Sequence, residues 1–203
     1  MLGAVTFSNF FILTLYVQNV LHYSALRTGV TFAVTAVSAV LWAGVAQALV
    51  TRIGAKPVMI VGFIVFAVGI FMYTQVSAHG SFASELLPGY ILVGFALPFT
   101  FIPISVAALA GVQPHEAGLA SGLFNTAQQV GGAIGVAVVS SVSISHFNHL
   151  TGQGIPFAEA FTSGSQWAFW VMFGISLVCI LAAVTLIKRD ELAPAREAIP
   201  AEA

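Results

Sequence analysis

Long apolar runs, interrupted by short polar and turn-forming clusters, dominate the pattern of this chain. The runs fall near residues 2–20, 29–50, 58–77, 86–110, 118–145 and 166–187. Each is continuously apolar, and each has roughly the 20 residues that a helix needs to cross about 30 Å of hydrocarbon. The breaks read "HYSALRT", "TRIGAKP", "AHGSFASE" and "GVQPHEA", then the longer "HFNHLTGQGIPFAEAFTSGSQ" and a tail, "KRDELAPAREAIPAEA". The pattern predicts an all-α polytopic transmembrane bundle of six spans over 1–187, with short connectors that make consecutive helices antiparallel. Residues 188–203 are expected to form a disordered cytoplasmic tail. A membrane β-barrel does not fit, because its strands would alternate over about ten residues.

Composition agrees with a membrane setting. Hydrophobic residues make up 59 % and charged residues 6 %, with a mean hydropathy of +0.99, too little charge to clothe a soluble domain. The near-neutral balance offers no basic face for nucleic acid. Cys179 is the sole cysteine, so an internal disulfide or a Cys-rich metal site is ruled out. No cofactor is predicted. The few cations do carry information: if the helices alternate, Arg52, Lys56, Lys188, Arg189 and Arg196 share one side and Arg27 lies on the other. The positive-inside rule makes the first side cytoplasmic, so both termini are expected inside, in a multi-pass protein of the plasma membrane. Met1 opens directly into the first run and no Lys or Arg precedes Arg27, so the charged region of a secretory signal is missing. The chain is expected to be the second part of something longer.

The fifth run, "GLASGLFNTAQQVGGAIGVAVVS", mixes amides and glycines into an apolar span. At about 100° per residue, Gly118, Gly122, Asn125, Gln129 and Gly132 fall in a stripe roughly 80° wide, flanked by Ser121, Gln128 and Gly135. Asn125 and Gln129 lie roughly 10 to 17 Å from the cytoplasmic end, around the bilayer midplane, where an amide facing lipid is costly. Two readings fit. Gly118-x-x-x-Gly122 and Gly131-x-x-x-Gly135 permit close helix crossing, with amides bonding a neighbour; or the same face lines a substrate pathway. Polar positions recur in span 1 (Asn9, Tyr16, Gln18, Asn19), span 2 (Thr31, Thr35, Ser38, Trp42, Gln47) and span 4 (Thr100, Ser105), but hardly in spans 3 and 6. This distribution predicts a cavity lined by spans 1, 2, 4 and 5, with 3 and 6 as outer supports. In span 4, Pro98 and Pro103 each remove a backbone donor, and a bend is expected.

Six spans with both ends inside, the connector "TRIGAKP" and the segment "GLASGLFNTAQQVGGAIGVA" resemble the C-terminal half, a 3+3 repeat, of a major facilitator superfamily transporter, most nearly the fourteen-span drug:proton antiporter branch. That superfamily joins the second and third helices of each half by a Gly-x-x-x-Asp-Arg-x-Gly-Arg-Lys type signature. Arg52, Gly54 and Lys56 match it, while Gln47, Thr51 and Ala55 depart from it. The resemblance implies a cytoplasmic gating loop at Arg52, Gly54 and Lys56, alternating access against a missing N-terminal half, and efflux of an amphipathic small molecule without chemistry on it. It also places the first, second, fourth and fifth helices of a half at the central cavity, which makes Gln18, Trp42, Gln47, Thr100, Asn125, Gln128 and Gln129 the pathway candidates. Expected partners are the lipid bilayer, the small molecule, and the missing half or another helix bundle.

Two other classes attach to specific residues. His146-x-x-His149 could offer two metal ligands, but a third is not evident and a polar outer loop suits them better. Ser121 with His146 evokes an intramembrane hydrolase, yet on one continuous helix they stand roughly 37 Å apart. A non-transporting helix partner remains an alternative to the transporter half.

Overall fold

A computed structural model describes residues 1–113 and 115–185. The expected tail over 188–203, with Lys188, Arg189 and Arg196, lies outside the described residues. The elements are α1 (Leu2–Asn19), α2 (Ala25–Ile53), α3 (Ala55–Tyr73), a π-helical turn (Phe82–Leu86) running directly into α4 (Leu87–Leu109), α5 (Ala117–Gly152) and α6 (Phe157–Thr185).

Helices extend further into the polar breaks than the apolar runs imply. Ser24 caps α2, its Oγ accepting the Arg27 N–H at 3.3 Å, so "ALRT" is helical. "TRIGAKP" shrinks to a single non-helical residue, Gly54, whose φ of 90° is open to glycine and strained for others. Pro57 is accommodated in the first turn of α3, where backbone N–H groups lack helical partners in any case. The long fifth connector contracts most. "HFNHL" belongs to α5 and "FAEAFTSGSQ" to α6, leaving residues 153–156 as the turn. Polarity alone does not end a helix; the break falls where Gly154, at φ 80°, and Pro156 force it. His146 and His149 are therefore helical, contrary to the loop expected for them.

Among the described residues, five helices, with the π-turn counted in α4, are long and apolar enough to cross a membrane. α1 is not among them: it has 18 residues and carries Ser8, Asn9, Gln18 and Asn19. Ser8 and Asn9 are buried, so this polarity is turned away from the lipid-facing surface.

Packing follows an exchange between two triplets. α1 packs on α5 and α2 on α4, so each triplet's first helix lies against the other's second; α3 packs on both α4 and α6, and α6 also meets α5 and α1. This is the arrangement of two interlocked three-helix repeats. Close crossings need absent side chains. A Cβ on Gly135 would stand 2.5 Å from the Ala4 Cα, one on Gly132 would enter the Phe7 ring, and one on Gly94 would stand 2.5 Å from the Thr35 carbonyl. The shared core is aromatic and branched aliphatic: Ile12, Leu13 and Tyr16 from α1, Phe66 and Tyr73 from α3, Tyr90 from α4, and Phe169 and Met172 from α6.

The two ends of the bundle are tied differently. At one end, Lys56 Nζ donates to the Val184 carbonyl at 2.8 Å, a cation on the C-terminal turn of α6. At the other, Tyr16, Gln166 and Glu85 converge on Val76 and Ser77 in the turn after α3.

Candidate functional site

The span-2 and span-4 polar positions mostly serve the α2/α4 seam. Thr35 Oγ1 donates to the Tyr90 carbonyl at 3.3 Å and Ser38 Oγ to the Ile91 carbonyl at 2.9 Å, while Thr31 bonds the Thr28 carbonyl of its own helix at 2.6 Å. Hydroxyls that satisfy themselves on backbone can be buried between helices at little cost. Thr100 follows the same rule: it is fully buried, its hydroxyl 3.0 Å from the Ala96 and Leu97 carbonyls. Pro98 and Pro103 are buried within α4, which stays helical through both.

The amides of α5 behave differently. Asn125 and Gln129, one helical turn apart, are exposed, and a Cβ on either Gly118 or Gly122 would meet nothing within 4 Å. The crossing expected at Gly118-x-x-x-Gly122 thus has no partner among the described residues. Gly132 and Gly135 carry the contact instead, because α1 starts beside Gln128, whose carbonyl touches Gly3. The sequence stripe divides into an open part, Gly118 to Gln129, and a part covered by α1. Gln128 is half-buried and turned away from the open amides.

Gln47 on α2 is exposed as well, and Gln18 is half-buried at the far end of α1. Trp42 meets Phe95 edge to face at 4.8 Å, and Phe95 stacks on Phe99 at 4.3 Å. Trp42 borders an open groove of about 490 Å³ with Val34, Leu41 and Ile91. Among the described residues, Trp42 and Gln128 thus border different pockets, while Gln47, Asn125 and Gln129 are exposed.

Away from Glu159 and Thr185 at the two ends of α6, what α3 and α6 expose is apolar. The exposed stripe of α3 is Val61, Ile64, Val68 and Phe71, and that of α6 runs from Trp167 and Trp170 through Leu177 to Leu181 and Val184. Such stripes suit lipid. In the connector between α2 and α3, Arg52 is exposed, Gly54 makes the turn, and Lys56 is engaged on α6.

Sequence reasoning missed the pairing of His146 with α6, where its Nε2 stands 3.1 Å from the Ser163 Oγ and its ring leans on Trp167. Ser163 sits in what reads as a loop, so the contact had no sequence signal. Ser121 lies on the same unbroken helix as His146, far from it, and does not pair with it. No group of three or more His, Cys, Asp or Glu side chains suited to a metal occurs among the described residues.

An interlocked pair of three-helix repeats, with one exposed amide face and two lipid-type stripes, defines a polytopic membrane domain. The profile of the Major Facilitator Superfamily matches residues 1–202, and the chain belongs to that family. Its similar proteins include a puromycin resistance protein of Streptomyces alboniger, 34 % identical over 140 residues, covering 68 % of this chain and 28 % of that protein. A multidrug resistance protein B homolog of Mycobacterium tuberculosis is 32 % identical over 144 residues, covering 70 % and 27 %. A lincomycin resistance protein of Streptomyces lincolnensis is 29 % identical over 198 residues, covering 97 % of this chain and 39 % of that protein. The chain thus spans well under half the length of these relatives.

Proposed function

We propose that this chain supplies one wall of an efflux pathway for amphipathic small molecules, completed by an N-terminal half or another helix bundle. The observation that carries the reading is the open face of α5, where Asn125 and Gln129 are exposed beside Gly118 and Gly122; the span length sets this face near the middle of a bilayer. Amides there require a wet cavity or a partner helix, whereas the exposed stripes of α3 and of the middle of α6 are apolar. The resistance and export names of the similar proteins support an exporter of small molecules. Transport would proceed by rocking of this half against its counterpart, with no chemistry on the substrate. Arg52 and Lys56 at one end and Arg27 at the other support a cytoplasmic Gly54 end, and so cytoplasmic termini in the plasma membrane.

The test is transport by the assembled protein carrying Asn125→Leu or Gln129→Leu. Both should lower export while stability in detergent changes by less than about 1 kcal/mol, since a wet amide contributes little packing. Loss of stability in step with activity would instead make the face a helix-packing surface, as in a non-transporting partner.

A further inference from the structure

The exposed hydroxyls and carboxamides of α5 differ in what they leave free. Thr126 Oγ1 donates to the Gly122 carbonyl at 2.8 Å and Ser141 Oγ to the Ala137 carbonyl at 2.7 Å, each satisfied within its own helix. Asn125 and Gln129 are exposed too, yet neither has a hydrogen-bond partner among the described residues. One helical turn apart, they present neighbouring side chains with Cβ atoms about 5–6 Å from each other. A carboxamide offers two N–H donors and a carbonyl acceptor and carries no charge. Beside them, a Cβ on Gly122 would meet nothing within 4 Å, so the described residues leave the approach to the pair open.

The charge around this pair is as informative as the pair itself. α1, α4 and α5 contain no Asp, Glu, Lys or Arg, and in α2 such residues stand only near its two ends, at Arg27 and Arg52. His146 of α5 is 17 residues beyond Gln129, roughly 25 Å along the helix. A charged group on a molecule at Asn125 and Gln129 would therefore find no counter-charge on this wall, and an unpaired charge taken out of water is costly. An uncharged group with its own donor and acceptor meets matched partners on both carboxamides.

We propose that Asn125 and Gln129 set the chemical preference of this wall: together they bind an uncharged polar group that has both a donor and an acceptor, of the carboxamide or lactam class, on an otherwise apolar molecule. The proposal rests on the pathway reading given above and goes beyond it by naming what the face selects.

Two probes with the same ring system, 2-naphthamide and 2-ethylnaphthalene, isolate the contribution of the amide. Their binding to the assembled protein in nanodiscs is measured against empty nanodiscs, alongside export of the neutral dye N-phenyl-1-naphthylamine from cells. Asn125→Leu and Gln129→Leu should each weaken 2-naphthamide roughly threefold to tenfold, the worth of one hydrogen bond, and leave 2-ethylnaphthalene within about twofold. Gln129→Glu, which keeps the side-chain size and adds a charge, should shift the preference toward 2-naphthylmethylammonium; it carries the test if a leucine variant does not fold. Equal weakening of amide and hydrocarbon, or no gain for the ammonium with Gln129→Glu, would overturn the preference while leaving the pathway reading in place. Binding of 2-naphthamide unchanged by both leucine substitutions would also overturn it, and dye export unchanged as well would overturn the pathway reading with it.

Discussion

Tyr16 of α1 donates its phenolic hydroxyl to the Ser77 carbonyl at 2.7 Å. The N–H and hydroxyl of the same serine are taken by the Glu85 carboxylate at 2.8 and 2.7 Å, and Gln166 Nε2 donates to the neighbouring Val76 carbonyl at 2.7 Å. One turn thereby joins α1, α3, α4 and α6. A carboxylate occupied in this way has a structural task, and the π-turn that presents it places Glu85 over Gly80, where any side chain would collide with it.

Tyr16→Phe should lower stability by about 1 kcal/mol, the net worth of one part-buried hydrogen bond, and Glu85→Ala by about 1 kcal/mol, because its bonds to Ser77 are exposed and screened by solvent. A double-mutant cycle should return a coupling of about 0.5 kcal/mol or more. Strict additivity in denaturant titrations would show that the turn is not organised jointly.

Orientation is testable with single cysteines in a Cys179→Ala background. His79 and Gln153 are exposed at one end, and Ile53, 57 % exposed, at the other. An impermeant thiol reagent applied to intact cells should label His79→Cys and Gln153→Cys, and should reach Ile53→Cys only after permeabilisation. The reverse pattern would invert the topology.

Glycines of α5 should differ sharply. Gly135→Leu drives a side chain into Ala4 of α1 and should cost about 1–3 kcal/mol or more through overpacking. Gly122→Leu points into open space and should leave the thermal stability of this chain unchanged within about 0.5 kcal/mol. Comparable losses at both positions would mean that the open face is covered.

Much of the architecture was legible because continuous apolar runs of span length admit one structure in lipid, and the short breaks fix its up-and-down order. Helix ends were less legible. Residues such as Ser163, Gln166 and His149 look like loop on composition, yet they are helical because they find partners across the turn or on a neighbouring helix. The polarity of span 2 misled in a different way. Thr35 and Ser38 are invisible to an argument about cavities until the carbonyls of Tyr90 and Ile91 are seen beside them. For α5 the stripe itself was readable, but not the point near Gln128 where α1 begins to cover it.

Proton coupling should be absent from this chain alone. Described carboxylates sit at helix ends or in turns: Glu85 on Ser77, Glu116 just before α5, and Glu159 in the first turn of α6. A proton-driven exporter needs an exchangeable group within the membrane, usually a buried acid. Proteoliposomes holding only these residues should show no substrate-dependent collapse of an imposed pH gradient, and robust coupled flux would refute this.

The exchanged pairing of the triplets also bears on how the protein is made. α1 leaves the ribosome before α5, with three helices synthesised between them, and it is the helix whose composition suits lipid least. Until α5 and α6 arrive, Ser8 and Asn9 have no interior in which to hide. Stable integration of this segment is therefore expected to depend on helices translated after it.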